Sequence, residues 1–174
     1  MSDYPLEVHT ERFLLRTLTV DDVNERYAGW LRDSLTSEYI TAKLDLADLK
    51  AYVLELSRRR DVIFLGVFDK NTGLHIGNIK YEPVDPEQGY AIMGILIGEC
   101  DWRGKGVAAE VLNATADWLQ KYHNIKQIIL GVSRSHTAAI TAYQKVGFVE
   151  ESTPFIPIVL PENMVMVWHL NPYI

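Results

Sequence analysis

Two glycines separated by one residue, Gly104 and Gly106, stand between a short apolar run and a helical pattern. The apolar run, Tyr90–Gly98, has the length of a strand, and after the glycines apolar residues recur at three- and four-residue steps. Glycine lets a backbone approach a ligand closely, and the first turn of a helix presents free N–H groups and a positive dipole end to an anion. Arg103 and Lys105 add positive charge to the same loop. The stretch therefore predicts a binding site for a phosphate group.

The same glycines allow other interpretations. The spacing Gly104-x-Gly106-x-x-Ala109 fits a dinucleotide-binding fingerprint, which would make the chain an oxidoreductase. Against it, a polar spacer separates the strand from the glycines, and the next predicted strand, 127–132, is not followed by the expected carboxylate. No Gly-Lys-Ser/Thr follows, so a P-loop is excluded. A tight turn without a ligand remains the other alternative, and this stretch alone does not decide between that turn and a phosphate site.

Composition limits the class of protein. The 174 residues suit one domain spanning residues 1–174, and 48% hydrophobic with 23% charged residues is ordinary for a globular protein. A net charge of −6 argues against nonspecific nucleic-acid binding. The apolar runs are too short for a membrane span, and the N-terminus lacks the features of a signal peptide. A single cysteine, Cys100, excludes an intrachain disulfide and fits a reducing compartment. Together, these features predict a cytoplasmic protein without nucleic-acid or membrane partners.

The pattern of the whole chain predicts a mixed sheet flanked by helices, an α+β fold. A variant capping box formed by Thr19 and Asp22 opens the first predicted helix, and Pro83-Val-Asp-Pro86 is expected to break the chain before the central strand. The later helices are predicted over 46–60, from Val107 to Tyr122, and over 136–146 with Gly147 ending the last. The strands are predicted over 12–18, 62–68, 75–81, 90–98, 127–132, from Phe148 onward, and over 164–170.

A second informative stretch runs from Ser135 to Phe148. Together with the glycine loop and the element order, it resembles the GNAT N-acetyltransferase superfamily, and most closely the branch that contains the ribosomal-protein-alanine N-acetyltransferases. The family's loop, Gln/Arg-x-x-Gly-x-Gly/Ala, corresponds to Asp101-Trp-Arg-Gly104-Lys-Gly106, with Asp101 as a departure. Its Asn-x-x-Ser-Ile-x-x-Tyr-x-Lys-x-Gly-Phe motif is matched by Ile140, Tyr143, Lys145, Gly147 and Phe148, whereas His136 and Ala139 replace the usual Asn and Ser.

The resemblance implies a single N-acetyltransferase domain with a twisted, mostly antiparallel central sheet whose strands splay around an acetyl-CoA cleft. Acetyl-CoA would be the cosubstrate, no metal would be needed, and an amine would attack directly in a ternary complex. A backbone N–H of the central strand would stabilise the oxyanion. The residues implied in acetyl-CoA binding are Ile95, Leu96, Ile97, Arg103, Gly104, Lys105, Gly106, Val107, Ala108, His136, Ala139 and Tyr143.

The chemistry requires the amine to lose a proton, since an alkylammonium has a pKa of about 10, and the leaving thiolate to gain one. Tyr143 occupies the family's position for the general acid. Glu99, at the mouth of the splayed strands, is the best candidate for the base, although a solvated carboxylate or a water relay are alternatives. No His–Cys arrangement supports covalent catalysis by Cys100, and the histidines lack metal-ligand spacing.

The acceptor site is expected from the two N-terminal helices and the strand Gly77–Tyr81, with Trp30, Asp33, Tyr39 and Tyr81 as candidate contacts. Aromatic residues beside charges suit an amino sugar, a nucleotide sugar, a small amine or a protein N-terminus. A non-catalytic acyl-CoA sensor is the alternative function. The sequence leaves the oligomeric state open, with a homodimer as one option.

Overall fold

An eight-stranded sheet organises the parts of the chain that the computed structural model describes, residues 6–32 and 45–172. Its strands are β1 (Glu7–His9), β2 (Phe13–Thr17), β3 (Ile63–Asp69), β4 (His75–Asp85), β5 (Tyr90–Ile97), β6 (Gln127–Ser133), β7 (Val149–Glu150) and β8 (Asn163–His169). They lie in the order β1-β2-β3-β4-β5-β6-β8-β7, and β5–β6 is the parallel pair in an otherwise antiparallel arrangement. The predicted α+β fold is confirmed.

Helices cover both faces of this sheet. The described helices are α1 (Glu25–Arg32), α2 (Leu46–Arg58), α3 (Val107–His123) and α4 (Thr137–Val146). Leu112 and Leu119 of α3 pack into a core with Leu65, whereas Leu49 of α2 packs into a second core with Phe64. Because successive side chains of a strand point to opposite faces, β3 contributes to both cores and is buried along its length. In the described part of the chain, no helix is long and apolar enough to cross a membrane.

The central strands separate part of the way along the sheet. β5 and β6 pair from Tyr90 to Ile92 and from Gln127 to Ile129, and the pairing ends there. Both strands continue, since β5 stays paired with β4 as far as Ile97 and β6 stays paired with β8 to its end. The sheet therefore opens into a cleft between β5 and β6, and the predicted splayed strands are confirmed.

Two predicted boundaries differ from the structure by several residues. The segment around Pro83 does not break the chain, because β4 continues to Asp85 through a register shift between Tyr81 and Val84, where a proline disturbs no ladder bond. The capping box of Thr19 and Asp22 is present, but it opens a single 3-10 turn, and α1 begins only at Glu25. The short edge strand β1 was not predicted, because three residues carry too little alternation to be recognised.

Candidate active site

The glycine loop connects the end of β5 to the start of α3. Gly104 and Gly106 have φ values of +73° and +75°, a left-handed conformation that favours glycine. Gly106 is the N-cap of α3 and, within the described chain, no side chain caps this helix start. Arg103 and Lys105 are exposed, and a Cβ placed on Gly104 would meet no atom within 4 Å. The helix start therefore presents backbone N–H groups and two cations to open space, the arrangement that suits an anion.

Contacts from distant segments hold this loop in place. Arg12 donates from Nη2 to the carbonyl of Lys105 (3.0 Å) and from Nε to Glu110 Oε1 (2.7 Å). The hydroxyl of Thr10 donates to the other oxygen of Glu110 (2.6 Å), and Arg103 Nε donates to the carbonyl of Ile97 (3.1 Å). The loop is thus tied to the β1–β2 connection and to β5. The sequence carries no signal for the contacts of Thr10, Arg12 and Glu110, because no local pattern connects residues about a hundred positions apart.

The cleft beside the loop is bounded by β5 on one side and by β6 on the other. Ile95 and Ile97 pack toward the core under α3, whereas Leu96 packs toward the core under α1 and α2. Beyond Ile92 and Ile129 the facing edges of the two strands are no longer paired with each other. A ligand entering the cleft would meet the edge of a strand, which can pair with an extended polar chain.

Tyr143 lies on α4, whose start is attached to the end of β6 by a hydrogen bond from His136 N–H to the Ser133 carbonyl (3.0 Å). Its ring is half-buried against the core and meets Phe148 edge-on, with the ring centroids 5.8 Å apart. Burial raises the pKa of the Tyr143 phenol above its ordinary value, so the hydroxyl keeps its proton at neutral pH. His136 is exposed at the N-cap of α4, and Ala139 is half-buried in its first turn.

Glu99, the candidate base, lies at the end of β5 in an ion pair. Arg26 Nη1 and Trp30 Nε1 donate to its Oε1 at 2.7 and 3.0 Å. The hydrogen bond from Arg26 is the main cause that lowers the pKa of Glu99 below its ordinary value, which weakens it as a base. Trp30 is only 6% exposed and covers Gly98, where a Cβ would lie 2.0 Å from the indole ring. These contacts attach α1 to the end of β5, and the role of Glu99 as base stays a prediction.

The structure describes two of the four predicted acceptor residues, Trp30 and Tyr81. Asp33 and Tyr39 lie outside the described residues. Tyr81 is 0% exposed, and its hydroxyl lies 2.7 Å from Thr115 Oγ1 of α3. Burial raises the pKa of Tyr81, which remains a core phenol. Trp30, although largely buried, lines a cavity of about 460 Å³ together with Gly98 and Glu99. Contact of Trp30 or Tyr81 with an acceptor stays a prediction.

A cavity of about 390 Å³ lies between helices α1 and α2 and strands β3 to β5. Asn78 and Lys80 of β4 face it, whereas Ile79 and Tyr81 face the opposite core. The predicted segment 77–81 therefore borders this cavity through Asn78 and Lys80, whereas the alternation of side chains along a strand turns Tyr81 to the opposite face. The cavity reaches Gly94, in the part of β5 that has separated from β6. Its lining residues are Tyr27, Leu31, Tyr52, Phe64, Asn78, Lys80, Gly94, Ile95 and Leu96.

The chain matches the family model described as an acetyltransferase (GNAT) domain over residues 12–149. No curated protein matches its sequence. A GNAT-family acetyltransferase from Bacillus anthracis is 18% identical, with a TM-score of 0.77 over 94% of this chain and 98% of that one. A spermidine N-acetyltransferase SpeG chimera from Vibrio cholerae and hSSAT is 21% identical, with a TM-score of 0.73 over 91% and 96%. AAC(6')-Ib, solved with paromomycin and acetyl-CoA, is 21% identical, with a TM-score of 0.72 over 91% and 94%.

Proposed function

This chain belongs to the GNAT acetyltransferase family, and we propose that it transfers an acetyl group from acetyl-CoA to an amine. The observation that carries the proposal is the separation of β5 from β6 directly before the exposed glycine loop at the start of α3. An anion site and an open strand edge lie next to each other along the chain. Together they suit a ligand with a pyrophosphate followed by an amide-bearing arm, which is the construction of coenzyme A.

In this proposal the backbone of residues 103–108 binds the pyrophosphate, and Ile95, Leu96 and Ile97 bind the pantetheine arm through their backbone. Gly104 and Gly106 leave room for the phosphates to approach the loop. Val107 and Ala108 open α3, so their N–H groups are among those without a partner inside the helix. His136 and Ala139, at the start of α4, border the arm from the other side of the cleft.

The reaction is a direct transfer. The amine nitrogen attacks the thioester carbonyl carbon and forms the C–N bond, the C–S bond breaks, and the leaving sulfur takes a proton. Tyr143 is proposed to donate that proton, since its buried phenol stays protonated. The amine loses its proton to water or to a basic side chain. A backbone N–H of β5 stabilises the negative charge that develops on the carbonyl oxygen.

The proposed acceptor site is the cavity beneath α1 and α2, which meets β5 at Gly94. The narrower likeness to ribosomal-protein-alanine N-acetyltransferases stays a prediction, and so do the small-molecule or peptide nature of the acceptor and a homodimeric assembly.

A radiolabelled acetyl-transfer assay against pooled amines tests the proposal. Transfer of label from acetyl-CoA to an amine is expected. Binding of acetyl-CoA without transfer to any amine would instead support a non-catalytic acyl-CoA sensor, and binding of NADH in place of coenzyme A would support the dinucleotide alternative.

Removal of Tyr52 is expected to weaken acceptor binding. Tyr52 lies on α2 and lines the cavity, so Tyr52→Ala should raise KM for the amine about tenfold through lost apolar contact, with the Kd of acetyl-CoA unchanged. Leu54→Ala is the matched control, because Leu54 is exposed on the same helix and does not line the cavity. An unchanged amine KM in Tyr52→Ala would remove the cavity from the acceptor site.

The substitution Glu99→Gln distinguishes a base from a structural anchor. As an anchor, Glu99 should contribute about 1 kcal/mol to the free energy of unfolding through its partly exposed charge, and Glu99→Gln should alter kcat little. Because the folded-state pKa of Glu99 is lowered, this contribution is complete above the ordinary value of 4.5 and is lost as pH falls through the lower folded-state value. Denaturant unfolding of the wild type and of Glu99→Gln at pH 7 and pH 3 measures how much of this contribution remains at each pH. A fall in kcat of about 10²–10⁴-fold would identify Glu99 as the base.

A further inference from the structure

The cavity beneath α1 and α2 is lined mainly by apolar and aromatic groups. Tyr27, Tyr52 and Phe64 supply rings, and Leu31 and Leu96 add aliphatic surface. Apart from the backbone and the two tyrosine hydroxyls, its described polar lining consists of Asn78 and Lys80. Among the described lining residues there is no carboxylate. The cavity therefore favours an apolar ligand body and offers no described counter-ion for a cation.

Lys80 is the one formally charged residue among the described lining residues. Its Nζ donates to the hydroxyl of Tyr52 and lies 3.1 Å from Glu82 Oε2. Burial alone would lower the pKa of Lys80, but the contacts with Tyr52 and Glu82 raise it, so the ammonium stays charged. Glu82 also accepts a hydrogen bond from Arg59 and does not line the cavity. This carboxylate is thus already shared by two cations.

The side-chain amide of Asn78, the one amide among the described lining residues, also has hydrogen-bond partners. The Oδ1 of Asn78 lies 2.7 Å from Nε2 of His75, and because an amide oxygen accepts, the imidazole donates. His75 is buried between rings, stacked on Phe68 with centroids 4.8 Å apart and edge-on to Trp30. Asn78 also hydrogen-bonds the side chain of Tyr27, another residue of the lining. A hydroxyl-rich ligand would therefore lose more hydrogen bonds with water than the described side chains lining this cavity could replace.

Resting on the proposed function, we infer that the acceptor is a monoamine carried on an apolar body, and that polyamines and amino sugars are poor acceptors. The apolar body packs between Tyr27, Tyr52 and Phe64, with the amine directed to Gly94, where β5 borders the cleft. A second ammonium would enter the same apolar space near Lys80 without a free carboxylate among the described lining residues. Discrimination between a monoamine and a diamine then comes from repulsion between Lys80 and the second ammonium and from the desolvation of that ammonium, as well as from apolar contacts with the ligand body.

A matched pair of amines tests this inference. 4-Methylbenzylamine and 1,4-bis(aminomethyl)benzene share one ring and one reacting group, and they differ in a second ammonium. We expect kcat/KM for the monoamine to exceed that for the diamine by about tenfold or more after correction for two reacting amines. Spermidine and paromomycin should react more slowly still. Equal or faster acetylation of the diamine, spermidine or paromomycin would overturn the inference.

The variant Lys80→Met tests the source of the discrimination. Methionine keeps an unbranched side chain and removes the charge, so the ratio of kcat/KM for the monoamine to that for the diamine should fall severalfold. The control is Lys50→Met, because Lys50 is exposed on α2 and does not line the cavity, and its ratio should equal that of the wild type. An unchanged ratio in Lys80→Met would overturn the role of Lys80.

Calorimetric titration of both amines into the protein, with and without coenzyme A, separates this inference from the proposed function. Tighter, Lys80-dependent binding of the monoamine without any acetyl transfer would support the inference and overturn the proposed function. Acetylation with a preference for the diamine would support the proposed function and overturn the inference. If neither amine binds or reacts, the inference is overturned.

Discussion

Tyr143→Phe is expected to lower kcat for acetyl transfer by about 10²–10⁴-fold, the usual contribution of a positioned proton donor, with little change in KM for acetyl-CoA. The phenol is half-buried on α4, and burial raises its pKa, so it keeps its proton throughout the neutral range, as the proposed donor to the leaving sulfur must. Phenylalanine keeps the ring that packs edge-on against Phe148. A lower rate would therefore report the missing hydroxyl rather than a damaged core.

Single-turnover measurements at saturating acetyl-CoA are the appropriate readout, because they isolate the chemical step from product release. Tyr122→Phe is the matched control, since Tyr122 is 62% exposed near the end of α3 and is not part of the proposed site. It should retain the wild-type rate. Wild-type single-turnover kinetics in Tyr143→Phe would leave Tyr143 with a packing role alone.

Gly104→Val and Gly106→Val are each expected to abolish binding of coenzyme A, measured by calorimetry. Both positions have φ near +75°, a conformation that costs a β-branched residue about 1–3 kcal/mol. The surrounding space is open: a Cβ on Gly106 would have only Arg12 Nη2 within 4 Å, at 3.9 Å. The substituted side chain would therefore fit the free protein, but it would occupy the space proposed for the pyrophosphate and shift the N–H groups that bind it.

Gly89→Val is the control that separates an effect of backbone strain on stability from an effect on the proposed phosphate site. Gly89 has φ +72° and precedes β5, so it lies at the opposite end of this strand from the glycine loop. A Cβ there meets Lys126 at an ordinary contact distance of 3.4 Å. Gly89→Val should lower thermal stability to a similar extent and still bind coenzyme A. Wild-type affinity in either loop variant would contradict the phosphate site.

The features predicted well from the sequence are those that neighbouring residues control. Each residue of a helix interacts with others three and four positions away, so the apolar repeat after Gly106 predicted α3 almost to its end. The preference of glycine for positive φ and the exposed start of a helix are likewise local, and both are present in the loop. The strand that becomes β5 was predicted with its observed start and within one residue of its end.

Pairing between distant segments decided the rest. Asn78 and Tyr81 belong to one strand, yet only Asn78 faces the cavity, because the register with β3 and β5 determines which face each side chain occupies. The sequence presented Glu99 as a candidate base or a solvated carboxylate, and only the packing of α1 against the end of β5 brings Arg26 to it. The sequence by itself determined the local form of the loop and of the helices. The tertiary structure decided which side chains share a site and which charges are already neutralised, since those depend on contacts between residues far apart in the chain.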